Sequence, residues 1–126
     1  MRRTMLGGKI HRATVTEANV DYEGSITLDA DLLDAAGILA NERVSVWDVV
    51  NGARFATYAI PALAGSGTCC VNGAASHLVS AGDLVIVASF VELDDAEARE
   101  WRPRVVFVDE RNRPLALRAE EAFRAV

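Results

Sequence analysis

Apolar and polar positions along this chain alternate far more often than they follow a helical spacing. Gly8 to Thr16 is alternating and rich in β-branched residues and reads as a strand. After a polar turn region at Asn19 to Gly24, Ser25 to Leu28 resumes as a short strand. Asp29 is a capping residue ahead of Leu32, Leu33 and Ala36, and Gly37 is a fitting stop, so a short helix is expected between them. Arg43 to Val50 alternates again through Val44 and Val46. Asn51-Gly52 then supplies a hairpin turn, expected with positive φ at both positions, before Ala53 to Ile60 returns and Pro61 ends it.

Gly65-Ser66-Gly67 is a loop and Thr68 to Val71 a strand. Asn72-Gly73-Ala74-Ala75 changes direction and opens a helical turn through His77 and Leu78. Gly82-Asp83 is a tight turn before the apolar strand Leu84 to Val91. Asp94 to Trp101 has a helical pattern capped by Asp94 or Asp95, and Arg104 to Val108 is a last strand. Beyond Asn112 the pattern weakens, so Leu117 to Val126 is expected as a loose helix or frayed tail. Many short strands with brief helices predict a mainly β fold, a small barrel or sandwich, and 126 residues make one domain the default.

Composition narrows the setting. The chain is 51% hydrophobic, enough for a real core. Its strongest apolar run, Leu84 to Val91, falls well short of the roughly 20 residues that cross a bilayer. No long apolar segment follows Arg2 and Arg3, so neither a signal peptide nor a membrane partner is expected, and the location expected is cytoplasmic. The net charge is −5, yet residues 1–12 carry Arg2, Arg3, Lys9 and Arg12 with no acid. An acidic chain argues against nucleic acid as a partner. The basic segment suits a small dianion, or it is an accident of a short window.

Cys69 and Cys70 are adjacent, so on a strand they face opposite ways and cannot serve one site; they are expected as small buried apolar side chains. His11 and His77 lack metal-ligand spacing from each other and from the cysteines, and no metal is expected. Lys9 is the single lysine beside twelve arginines, which draws notice because an amine can lose its proton and a guanidinium cannot.

Nucleophile elbows, phosphate loops, dinucleotide fingerprints and zinc-protease helices are missing. What remains is Gly24-Ser25 within Asp21-Tyr22-Glu23-Gly24-Ser25-Ile26-Thr27. It follows Lys9-Ile10-His11-Arg12-Ala13. It precedes the block Asn51 to Ile60, the run Val71-Asn72-Gly73-Ala74-Ala75, and Gly82 to Ile86. In order and spacing, over roughly residues 1–108, these blocks together resemble the pyruvoyl-dependent aspartate 1-decarboxylase family. Departures are modest: Cys69 and Cys70 stand where that family usually has aliphatic residues, and Ser76 where alanine is commoner.

The resemblance implies a small six-stranded double-psi β-barrel over residues 1–115, with 116–126 as a tail. It implies self-cleavage at Gly24-Ser25 into residues 1–24 and 25–126, with Ser25 becoming a covalent pyruvoyl group and neither pyridoxal phosphate nor metal required. L-aspartate would then lose its α-carboxylate through a Schiff base to that group, giving β-alanine for pantothenate and coenzyme A. Decarboxylation leaves a carbanion that needs such an electron sink. Gly24 has no side chain to block attack at its carbonyl and tolerates strained dihedrals. Carried over position by position, Thr57 assists cleavage and lines the substrate site. Tyr58 protonates Cα, as a phenol of ordinary pKa about 10 stays protonated at neutral pH.

Arg54 would hold a substrate carboxylate in a bidentate fork. Lys9 would sit beside the new chain end and the substrate. Asn72, with the backbone of Gly73, Ala74 and Ala75, would cradle the substrate. Trp47 and Ile86 are candidates for an apolar wall, and His11 for a supporting position. The resemblance further implies a homotetramer with active sites between subunits, and a maturation factor is a candidate partner. Two other readings compete: a pyridoxal-phosphate enzyme using Lys9, for which no phosphate loop is recognisable, and a non-enzymatic barrel whose Gly24-Ser25 peptide stays intact.

Overall fold

The computed structural model describes residues 1–115; the expected tail, 116–126, lies outside the described residues. Eight strands form one mixed sheet: β1 Arg2–Thr14, β2 Glu17–Asn19, β3 Ser25–Asp29, β4 Arg43–Asp48, β5 Arg54–Ala62, β6 Cys69–Asn72, β7 Leu84–Asp94 and β8 Arg104–Phe107. Their order is β2-β6-β3-β5-β4-β7-β1-β8. The pairs β3–β5, β2–β6 and β1–β8 are parallel. The pairs β1–β7, β3–β6, β4–β5 and β4–β7 are antiparallel.

The chain itself links β1, next to the last strand of this order, with β2, the first. β1 continues through Val15 and Thr16 into β2, and the Thr16 N–H donates to the Cys69 carbonyl at 2.8 Å. The sheet thereby curls into a small barrel, which removes the exposed edges of a flat sheet. The six strands β6-β3-β5-β4-β7-β1 run consecutively, with β2 and β8 extending the two ends. β2 was not expected: Glu17–Asn19 has no apolar alternation and is a strand only because β6 pairs with it.

Inside lies a core of β-branched and leucine side chains, with Ile10, Ile26, Leu28, Val46, Val71 and Val87 all fully buried. Strand alternation sets which residues face it: Ile26 and Leu28 point in, so Ser25 and Thr27 point out. Helix α1, Ala30–Ala36, seats Leu32 and Leu33 over the barrel, capped by Asp29 and stopped by Gly37 as expected. Gly8 permits this seating, because a Cβ there would overlap the Ala36 carbonyl.

Two expectations need correction. Only Gly52, not Asn51, takes positive φ, at 78°. The connection is a longer loop organised by Asp48, whose carboxylate accepts from the Val50 and Asn51 N–H groups at 2.8 and 3.2 Å. Pro61 also does not end β5, which pairs on with β3 to Ala62. β4 has stopped opposite Tyr58, leaving one side of β5 free for a residue without an N–H. Helix α2, Asp95–Glu100, is capped by Asp94, whose carboxylate accepts from the Glu97 N–H at 2.9 Å.

Candidate active site

Ser25 opens β3, and the antiparallel register with β6 sets it opposite Asn72, with Thr27 opposite Cys70. With a strand period of two, these four side chains share the face turned away from the core. They form one hydrogen-bonded group. The Asn72 Nδ2 donates to Ser25 Oγ at 3.0 Å and to Thr27 Oγ1 at 2.9 Å. The Cys70 thiol donates to Asn72 Oδ1 at 3.0 Å, and the Ser25 hydroxyl donates to the Glu23 carbonyl at 3.3 Å. Ser25 is only 1% exposed.

Gly73, directly after Asn72, has φ of 74° and presses against the peptide before Ser25. A Cβ there would stand 2.6 Å from Gly24 Cα and 2.7 Å from Gly24 N. The need for glycine therefore falls on Gly73. Gly24 itself is not in the left-handed region, and a Cβ built on it meets nothing within 4 Å, so strain stored at Gly24 is not the reason for a glycine there.

A cavity of about 500 Å³ opens over this group, lined by Ser25, Thr27, Cys70 and Asn72 with Ile60, Thr68, Tyr22, Glu17 and Glu23. Among the described residues that lining holds two carboxylates, Glu17 and Glu23, and no cation to meet a dicarboxylate. Among the described residues no cluster of His, Cys, Asp and Glu could hold a metal ion.

The remaining expected residues are spread over the barrel. On β5, Thr57 shares the inward side with Ala59, opposite the buried Val44. Tyr58 takes the outward side, two residues before the cavity-lining Ile60. Ile26 pairs with Ala59, so extending that register by one residue brings Tyr58 beside Ser25. Neighbours on a strand cannot face the same way, and Ser25 Oγ bonds Asn72 and Glu23 rather than Thr57. Ala74 and Ala75 follow in the 3₁₀ turn Gly73–Leu78; Ala74 is exposed and Ala75 packs partly on the core.

Arg54 lies four residues before Tyr58, about 13 Å along the strand, with its guanidinium 4.7 Å over the Trp47 ring. Trp47 pairs with both Arg54 and Ile86, so these three share one outward row. Lys9 is in the neighbouring row, opposite Ala88. Lys9, on β1, stands four strand spacings from β3 by way of β5, β4 and β7, whereas Arg54, on the neighbouring β5, is set off from Ser25 along the strand; neither lines the Ser25 cavity.

His11 does not line the Ser25 cavity either. It meets Phe107 edge-on at 5.4 Å, and its Nδ1 is buried without a partner. Burial, then Lys9 and Arg12, push its pKa below the ordinary histidine value. The N-terminal basic run is not one patch either, because Arg3 is paired with Asp95 at 2.7 Å.

A family model described as aspartate decarboxylase matches residues 1–115. The chain belongs to the aspartate decarboxylase family. It is 57% identical over 117 residues to a protein of Corynebacterium efficiens named aspartate 1-decarboxylase, covering 93% of this chain and 86% of that one. It is 54% identical over 121 residues to one of the same name from Myxococcus xanthus, covering 96% and 93%.

Within this family member the sequence reading assigned no role to two residues of the hydrogen-bonded group, Thr27 and Cys70. The two cysteines do face opposite ways, and Cys69 is core, its thiol pushed up to about 12 by burial and by Cys70. Cys70 is not an inert apolar filler: it bonds Asn72 in the wall of the Ser25 cavity. The signal was its position two residues before Asn72, on the same strand face.

Proposed function

We propose that this chain decarboxylates L-aspartate at its α-carboxylate to β-alanine and CO2, using a pyruvoyl group that it makes from its own Ser25. The observation that carries this reading is the buried Ser25 hydroxyl, directly after Gly24, held by the Asn72 N–H at 3.0 Å in a chain of this family. The site fits such a group: position 25 is secluded from bulk water yet opens on a cavity large enough for an amino acid.

In the precursor, Ser25 Oγ attacks the Gly24 carbonyl carbon. A C–O bond forms, the C–N bond to Ser25 breaks, and the freed amine takes the hydroxyl proton. Removal of the Ser25 Cα proton then breaks the Cβ–O bond, releasing Gly24 as a carboxylate and leaving dehydroalanine. Addition of water and loss of ammonia leave a ketone carbonyl at position 25. The Asn72 N–H favours negative charge on Oγ as attack begins. Gly73 holds the Gly24 side of the peptide in place. Thr57 assists from the strand beside β3, the role that family membership implies.

A carbonyl at position 25 supplies the electron sink for the pair left when CO2 departs. Tyr58, beside Ser25 by register, delivers the proton to Cα. Arg54 binds a substrate carboxylate, and Lys9 faces the substrate and the Gly24 chain end. Asn72 and the Gly73–Ala75 backbone form the cradle. The acidic cavity and the cations that lie outside its lining favour a homotetramer in which one subunit's Lys9, Arg54 and Trp47 cover the next subunit's Ser25 cavity. The reading extends to a cytoplasmic enzyme supplying β-alanine for pantothenate and coenzyme A, with a maturation factor as a candidate partner.

Denaturing mass spectrometry on protein incubated warm should find residues 1–24 and residues 25–126, the latter with a blocked N-terminus. Only full-length chain, in the native host as well, would overturn the reading. Mixing Ser25→Ala with Arg54→Ala subunits should restore turnover at low aspartate beyond what either shows alone; no restoration would remove the shared site.

A further inference from the structure

We propose that Cys70 is a positioning residue for self-cleavage: its thiol holds the Asn72 amide in the orientation that presents N–H, not carbonyl, to the Ser25 hydroxyl. The proposal rests on the reading above that the Gly24-Ser25 bond is cut.

A side-chain amide fits its site either way round, and its neighbours decide which way it sits. The Ser25 and Thr27 hydroxyls each donate or accept, so neither decides. Cys70 does. Its sulfur lies 3.0 Å from Asn72 Oδ1, and a protonated thiol there is a donor that needs an acceptor. Burial first, and then the Glu17 carboxylate, push its pKa upward and keep it protonated. The other acceptor near it, Glu17 Oε2, stands farther off at 3.9 Å. Turning the amide over would aim an N–H2 at sulfur, a weak acceptor, and forfeit the S–H bond.

Every hydrogen in the resulting chain has one direction. Cys70 donates to the amide carbonyl, the amide N–H donates to Ser25 Oγ, and Ser25 donates to the Glu23 carbonyl. Water does not readily substitute for the thiol, because Cys70, Asn72 and Ser25 are 7%, 5% and 1% exposed. The direction matters chemically. An N–H on Oγ stabilises the alkoxide formed as the hydroxyl proton leaves, whereas a turned amide would aim its carbonyl oxygen at that charge and disfavour it.

The test is the self-cleavage rate of purified precursor, followed by denaturing mass spectrometry. Cys70→Ala should slow it about tenfold, the size of one buried hydrogen bond, and Cys70→Ser, which keeps an O–H donor, should restore most of the rate. Cys70→Val fills the volume without an S–H and should be as slow as alanine, which covers the case where alanine loosens the barrel. Cleavage at the parent rate in the alanine and valine variants would overturn the proposal. So would a serine variant as slow as alanine at matched thermal midpoints. Hydrogen exchange of the Asn72 side-chain amide tests the same contact in chain that stays uncut. It should quicken about tenfold in Cys70→Ala and recover in Cys70→Ser. Uncut parent protein with that exchange pattern would sink the cleavage reading and leave the positioning role standing; unchanged exchange would sink the positioning role itself.

Discussion

Replacing Gly73 by alanine should leave a folded barrel that cleaves itself far more slowly. Two costs combine at this residue. Its φ of 74° is unfavourable for a residue with a Cβ by about 1–2 kcal/mol. The new methyl would also stand 2.6 Å from Gly24 Cα and 3.1 Å from the Tyr22 carbonyl oxygen, against an ordinary carbon contact of about 3.5 Å. Relief needs a shift of roughly 1 Å in the peptide that Ser25 must attack, and a misplacement of that size costs about 10²-fold in rate. The assay is a time course of the uncut fraction by denaturing mass spectrometry, beside a thermal unfolding curve that verifies the fold. Gly24→Ala is the control. Its Cβ meets nothing within 4 Å and its φ is not positive, so its stability should stay within about 1 kcal/mol of the parent. Cleavage of Gly73→Ala at the parent rate would refute the argument, as would a larger loss of stability in Gly24→Ala than in Gly73→Ala.

Four further outcomes are expected. Arg54→Ala should mature normally but raise KM for aspartate steeply, the loss of a charged partner being worth about 2–5 kcal/mol; unchanged kinetics would remove Arg54 from the site. Tyr58→Phe should mature and then turn over about 10²–10⁴-fold more slowly, whereas a variant that fails to cleave would place the phenol in maturation instead. Burial works to raise the Asp29 pKa, but the N–H groups of Gly67, Asp31 and Gly65 outweigh it and hold the carboxyl below its ordinary value. Its stability is therefore present above about pH 4 and lost as pH falls through the lower folded value, so Asp29→Asn should flatten the acid limb of a urea midpoint against pH. An equally steep limb in both proteins would contradict this. Asp48 is the opposite case: burial, then the neighbouring Asp83, raise its pKa, and its Oδ2 has no partner. Its stabilising protonated form is lost as pH rises through that raised value, so Asp48→Asn should unfold at a higher temperature than the parent near pH 7 and at a similar one near pH 4.

The sequence by itself determined the elements whose signals are local. Alternation, apolar runs and turn residues marked seven of the eight strands, and Asp29 and Gly37 bracketed helix α1, because such signals are set by residues a few positions apart. It also marked Gly24-Ser25 and Asn72, through blocks whose order and spacing can be read along the chain. The tertiary structure decided what depends on which strands meet. β2 exists only through its pairing with β6, and the Asn51-Gly52 connection takes its shape from the Asp48 carboxylate. Cys70 gains its place in the Ser25 site from the Thr27–Cys70 pairing, and Gly73 gains its demand for glycine from the approach of Gly24. Lys9 is set apart from Ser25 by strand order, and Arg54 by its place at the far end of β5. Residues far apart in the chain carry no mark of their future neighbours in their own periodicity. Register and closure bring them together, and those are set by the burial of the whole core at once.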